Sequence, residues 1–331
     1  MSAIEYKETL LDAILGLLWR QWSSLGILGY EQTLRNDSFV DPEALLIASA
    51  GFARYDQRLY DLMADWLLKY GRLVNPTRLK ALLGKAQSAD EASLYYLATL
   101  CLKAGDKRWG RLAERGPAGE LDKPSPLFYQ QDGTPLSYCP ERDAVALGCG
   151  FIRNTFIPQN KCRQNLLASN ATLLLRCRAL FGVSSRADVI LQLLFTPSSI
   201  QRLVDFSGFS RTSVREVLEE LEIAQAVSPV GTGMRNAAYV LANAIEMNQM
   251  LQVKPPCYPV HWSNVYNAIA QFWSFVSNPL LPKLSDETIR GEMELIFRKE
   301  LQHRLIHCGI PALQNLTPEN LNSLPTLIST I

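Results

Sequence analysis

The chain has 331 residues, 47% of them hydrophobic and 20% charged, with 33 basic against 32 acidic side chains and a formal net charge of +1. That length holds two or three domains, and the apolar content excludes a wholly disordered chain. Near-zero net charge excludes a histone-like protein that binds nucleic acid by bulk charge, and leaves only a local basic face as an electrostatic footprint.

The first element is a helix over residues 4–22. Leu10, Leu11, Ile14, Leu17, Leu18 and Trp22 recur at helical spacing, and a glycine-marked break follows. Asp41-Pro42-Glu43 is a strong helix start, with Asp as N-cap and Pro at the first position. A further helix runs over 60–70 and is expected to stop at Gly71. Asn75-Pro76 starts the next, and 90–103 is another. Residues 1–115 thus read as a helical domain whose charges nearly balance. Tyr55, Tyr60, Trp66 and Tyr70 within it read as core and interface rather than as a base-stacking platform. The piece 59–83 also has a helix-turn-helix outline, with Arg78 and Lys80 on its second helix, but nothing like a wing follows.

Residues 116–164 are rich in Pro and Gly at their start and read as a linker or irregular segment. The pieces LFYQ and LSYC around Asp132-Gly133 suggest a small hairpin. Helical periodicity returns near Asn165. Beyond the central unit described next, a Pro-rich break at 253–262 precedes helices over 263–276 and 285–307. The tail from Cys308 is expected to pack loosely or against a partner.

The informative stretch is 184–243. SRADVILQLLFTP is a helix with Val189, Ile190, Leu193 and Leu194 inward. SSIQRLVDFSG is a second, capped by Ser198 or Ser199. Gly208 turns the chain, and Ser210 caps a third helix whose buried stripe is Val214, Val217, Leu218 and Leu221. AQAVSPV and MRNAAYVL are strands joined at Gly231-Thr232-Gly233. Over this whole length, in "SIQRLVDFSGFSRTSVREVLEELEIAQAV" and "VSPVGTGMRNAAYVL", the chain resembles the winged helix-turn-helix DNA-binding family. The N-terminal part together with "NATLLLRCRALFGVSSRADVILQLL" also resembles bacterial winged-helix regulators and antitoxins paired with abortive-infection nucleotidyltransferase toxins.

The first resemblance implies a mostly α fold: a helical N-terminal domain (1–115), the irregular 116–164, a central winged helix-turn-helix with a preceding helix (165–243), and a helical C-terminal region (244–331). It implies a recognition helix over about 210–223 in the major groove, reading with its N-terminal residues. Those are Ser210, Arg211, Thr212, Ser213 and Arg215, short hydroxyls and arginines able to bond phosphates or pair with guanine. Ser198 and Ser199, and Thr232, Arg235 and Asn236 of the wing (about 227–241), complete the expected DNA-binding set. The function implied is a sequence-specific transcriptional regulator of double-stranded DNA, acting as a homodimer. The second resemblance implies an antitoxin, whose winged helix holds a toxin or other protein partner.

Charge separates the two readings. Residues 184–250 hold five arginines against seven acids, net −2, which is poor for a DNA binder. Residues 144–187 hold no acid and carry Arg153, Lys161, Arg163, Arg176, Arg178 and Arg186. These six are candidate phosphate contacts. The alternative is that they form a solvated face or bond acids elsewhere. Protein docking instead predicts that the recognition face is covered, or neutralised by Asp205 and Glu216.

No catalytic residue, metal or cofactor is expected. LGCGF lacks the Lys and Ser/Thr of a phosphate loop, and neither G-x-G-x-x-G nor G-x-S-x-G occurs. His303 and His307 share a helix face beside Cys308, without a His-Glu-x-x-His pattern. The seven cysteines, including Cys139, are odd in number and form no C-x-x-C, so free thiols of a reducing cytoplasm are expected. Glu5 and Glu8 oppose a signal peptide, and Asp12 and Arg20 cut the first apolar run below membrane length. A cytoplasmic protein with no membrane partner is the expectation.

Overall fold

A helix that is apolar around most of its circumference must be covered on several sides. In the computed structural model, which describes residues 3–86, 89–114, 124–138, 141–231 and 237–331, α1 (Ala3–Ser24) is such a helix, and all six apolar residues named above are fully buried. α2 (Pro42–Phe52) starts as expected: the Asp41 carboxylate accepts from the N–H groups of Glu43 and Ala44, both at 3.1 Å. α3 (Gln57–Tyr70), α4 (Pro76–Leu83) and α5 (Glu91–Lys103) are capped by the side chains of Asp56, Asn75 and Asp90. Gly71 does not act as a left-handed stop. Its φ is −55° and the chain continues through a 3-10 turn, Gly71–Leu73. The single turn α6 (Gly110–Ala113) ends this part.

The described part of the Pro/Gly-rich segment is irregular but packed. β1 (Ser125–Pro126) pairs in parallel with β2 (Phe151–Ile152), with α7 (Ala144–Gly148) between them. The tight turn at Asp132-Gly133 is present, closed by the Gln130 N–H to the Thr134 carbonyl at 2.7 Å. Leu127, Phe128, Cys149, Phe151 and Cys162 are buried in the same core as α1. α8 (Leu173–Phe181) begins later than Asn165. Asn170, ahead of it, instead ties two loops together: its Nδ2 donates to the Asn36 carbonyl at 2.7 Å and its Oδ1 accepts from the Lys254 N–H at 2.9 Å.

Next come α9 (Ser185–Phe195), β3 (Ser198–Ser199), α10 (Ile200–Ser207), α11 (Arg211–Ile223), β4 (Val227–Val230) and β5 (Ala238–Leu241). The strands form one small antiparallel sheet in the order β3-β5-β4. β3 is an addition to the two-stranded hairpin expected from sequence. Ser198 opposes Tyr239, and Val227 opposes Leu241. The chain continues through α12 (Ala244–Met250), α13 (Trp262–Val276), α14 (Asp286–Ile296), a π-helical stretch (Phe297–Leu301), α15 (Gln302–Ile306), α16 (Pro311–Gln314) and α17 (Leu324–Thr330).

The tail does not pack loosely. α17 lies on α1, with Leu321, Leu324 and Ile328 buried. The Tyr6 hydroxyl donates to the Leu321 carbonyl at 2.9 Å and the Arg20 guanidinium to that of Ile328 at 2.8 Å. The two ends of the chain thus share one core, running from Leu10 to Leu175 and again from Val260 to Ile328. A second core is built from Leu173 to Leu251, with Phe39 entering it from ahead of α2. Among the described residues no helix is long and apolar enough to cross a membrane.

Candidate nucleic-acid interface

The local sequence accounts for the shape of 185–241. Ser199 starts α10 by accepting the Arg202 N–H at 3.3 Å. Leu203 is buried below it. Gly208 then takes φ +72° and ψ 4°, the left-handed conformation that a side chain resists. Ser210 starts α11, its Oγ accepting the Ser213 N–H at 3.1 Å. Val214, Val217, Leu218 and Leu221 face the second core. This leaves the first turn of α11 outward.

Ser210, Arg211, Thr212 and Arg215 are all exposed, and Ser213 is half-buried. Arg211 donates to the Gln201 amide oxygen at 3.2 Å, and Gln201 in turn bonds Asp205 at 2.9 Å. Ser199 is half-buried at its cap. Ser198 is corrected: it is only 1% exposed, its hydroxyl donating to the Thr196 carbonyl at 3.1 Å, so it has no groove to face. Thr232, Arg235 and Asn236 lie outside the described residues.

The acid-free segment does not form a basic surface. Arg153 is buried, paired with Asp61 at 2.7 Å and lying 5.1 Å from the Phe128 ring centroid. Arg178 is fully buried and bonds Glu43 at 2.6 Å and Asp188 at 3.2 Å. Arg176 is half-buried, donating to the carbonyls of Leu251 and Ser169. Arg186 is half-buried and paired with Glu220. Lys161 and Arg163 are exposed; the Lys161 N–H bonds the Asp65 carboxylate and the Arg163 N–H the Gly26 carbonyl. A run of arginines without local acids is satisfied here by acids distant in sequence, since a buried guanidinium needs a partner.

The structure also brings together charged residues that the sequence did not connect. Arg78 and Arg178 form a buried cluster with Asp41, Glu43 and Asp188. Arg78 bonds Asp41 at 2.6 Å and Glu43 at 2.5 Å. Its Nε donates to the Ser207 carbonyl at 2.6 Å, at the C-terminal end of α10. Burial alone would push the Asp41 carboxyl up, yet Arg78 beside it holds it at about 2. Burial wins at Asp188, whose pKa is raised despite Arg178 and Arg78. Gly208 rests on this same support: a Cβ there would meet Leu82 Cδ2 at 3.1 Å. In sequence Asp41 and Glu43 read as a helix start, Arg78 as part of a helix-turn-helix outline and Arg178 as a candidate phosphate contact, and no local pattern linked them.

His261 caps the approach to α13 against Phe206, with ring centroids 5.5 Å apart, and burial followed by nearby Arg202 lowers its pKa. His303 and His307 are exposed, and among the described residues no group of three or more potential ligands could hold a metal. Cys101, Cys149, Cys162, Cys177, Cys257 and Cys308 are free thiols, and Cys139 lies outside the described residues. Comparison of the chain with protein-family models, curated proteins and solved structures gives no match.

Proposed function

We propose that residues 184–243 form a winged helix-turn-helix and that the protein is a sequence-specific DNA-binding transcriptional regulator. The observation that carries this is the outward first turn of α11. Arg211, Thr212 and Arg215 stand exposed there beyond a left-handed Gly208. Support also comes from the element order, helix-strand-helix-helix-strand-strand, with the first strand pairing the last. α11 enters the major groove by its N-terminus, and the strands β4 and β5 of the wing lie along the backbone; Thr232, Arg235 and Asn236, outside the described residues, are contacts proposed from sequence alone. Exposed Arg202 on α10 joins Arg211 and Arg215 as a cation for phosphate. Of the upstream basic set, Lys161 and Arg163 are exposed and have no ion pair among the described residues, which leaves them to reach phosphate, whereas Arg186 is held by Glu220. A homodimer binds a near-palindromic site.

Fluorescence anisotropy on the DNA upstream of its own gene and on a scrambled duplex, across a salt series, tests this. Selective binding with a salt slope of several phosphate contacts is expected. Arg211→Ala with Arg215→Ala should weaken it by about tenfold or more while leaving the melting temperature unchanged. Unaltered affinity in that double variant would sink the DNA reading.

A second reading has its own observation. The later turns of α11 expose Glu216, Glu219 and Glu222 and end on Ile223, 84% exposed. An acidic stripe closed by a bare isoleucine suits a protein partner such as a toxin better than DNA. Weak and equal binding to both duplexes favours this antitoxin-like role.

A further inference from the structure

A cavity of about 660 Å³ opens between the C-terminal half of α2, the turn Ala53–Tyr55, the start of α5 and α13. That size suits a small organic molecule. Its walls are aromatic: Phe52, Tyr55, Tyr129 and Trp273. Tyr55 and Trp273 meet edge to face with centroids 6.0 Å apart, and Phe52 and Trp273 do so at 5.9 Å. The space exists because small residues line the helices. A Cβ on Gly51 would meet only Asp90 Cβ, at 3.8 Å, and Ala270 leaves the α13 wall open.

The charges of the lining decide what fits. Arg54 is fully engaged within the wall. It pairs with Asp90, donates to the carbonyls of Leu127 and Pro126 at 2.8 Å each, and lies 5.0 Å from the Tyr129 centroid. It has little left to offer an anion, and its charge is cancelled by Asp90. Among the described residues the remaining charged group of the lining is the exposed Glu91 carboxylate, held by the Tyr95 hydroxyl. Aromatic faces and a carboxylate with no ion pair among the described residues attract a cation. Lys7, which is not part of the lining, places its Nζ 5.6 Å from the Trp273 centroid.

We infer that this cavity binds a small organic cation with an aromatic body, seated against the aromatic wall of Tyr55 and Trp273 with its charge toward Glu91. The inference is independent of whether the protein binds DNA.

Isothermal titration of the full chain with benzyltrimethylammonium, benzyl alcohol and phenylacetate tests it. Saturable binding of the cation is expected, about tenfold tighter than benzyl alcohol, with phenylacetate weakest. Glu91→Gln should remove most of the cation's advantage and leave benzyl alcohol unchanged. Ala270→Trp, which fills the space, should abolish binding of both. If Ala270→Trp does not fold, as judged by circular dichroism, Glu91→Gln alone decides. The inference is overturned by absence of saturable cation binding up to about 10 mM, by phenylacetate binding as well as the cation, or by wild-type cation affinity in Glu91→Gln.

Discussion

Arg178 has no exposed side-chain surface, and both its partners, Glu43 and Asp188, are buried as well. With Arg78 and Asp41 the cluster holds three carboxylates against two guanidinium groups. Removing one cation strands like charges away from solvent, whereas removing one surplus carboxylate brings the charge to balance. Arg178→Ala is therefore expected to lower the unfolding free energy by roughly 3–5 kcal/mol, and Asp188→Asn by clearly less, as read by urea denaturation. The pH dependence has a definite sign. Asp41 ionises near 2 in the folded protein, below its unfolded value, so its contribution is present above about pH 4 and lost as pH falls toward 2. Asp188, raised by burial, has the opposite sign: protonating it favours the folded state. The acid limb of the stability curve should flatten in Asp41→Asn. In sequence Arg178 read as a candidate phosphate contact or as a partner of acids elsewhere, and nothing local pointed to Glu43 and Asp188 as those acids.

At the scale of elements, the chain from α10 to α11 was nearly all legible. The turn glycine, the caps and the apolar stripe are signals within one or two turns of each other. Gly208→Ala is expected to cost about 1–2 kcal/mol for its left-handed backbone, with Leu82 yielding to the new methyl. Ser210→Ala is expected to cost about 1 kcal/mol through the lost cap to Ser213. Thermal melts of both variants check these values. What the pattern did not contain was the seat beneath the turn. Arg78 and Leu82 come from α4, in a segment whose own outline suggested a second DNA-reading motif. Arg78 faces inward and holds the Ser207 carbonyl. Ser198 failed for the related reason that two residues sufficed to join the sheet, a pairing too short to leave a periodic mark.

Across the whole molecule, two cores are joined by a few specific side chains. Phe39 stacks on Phe195 at 5.8 Å, and the Trp262 indole donates to the Phe39 carbonyl at 2.6 Å. α2 and α13 pack together, and each runs from this junction to the aromatic cavity. The tail completes the first core by closing over α1. Ile328→Ala, at a fully buried position, should cost about 2–5 kcal/mol, measured by guanidinium unfolding; a cost below 1 kcal/mol, about what a surface site gives, would show the tail to be dispensable.

The sequence by itself determined where helices start and stop, which faces of them are apolar, and the exposed first turn of α11. Capping and periodicity are short-range, so they are written in neighbouring residues. Only the tertiary structure decided which charges are free. Glu43 and Arg178 stand 135 positions apart, and no local pattern distinguishes an arginine that meets solvent from one that meets a buried carboxylate. Burial makes that difference, because a charge removed from water must find its counter-charge wherever the fold brings one.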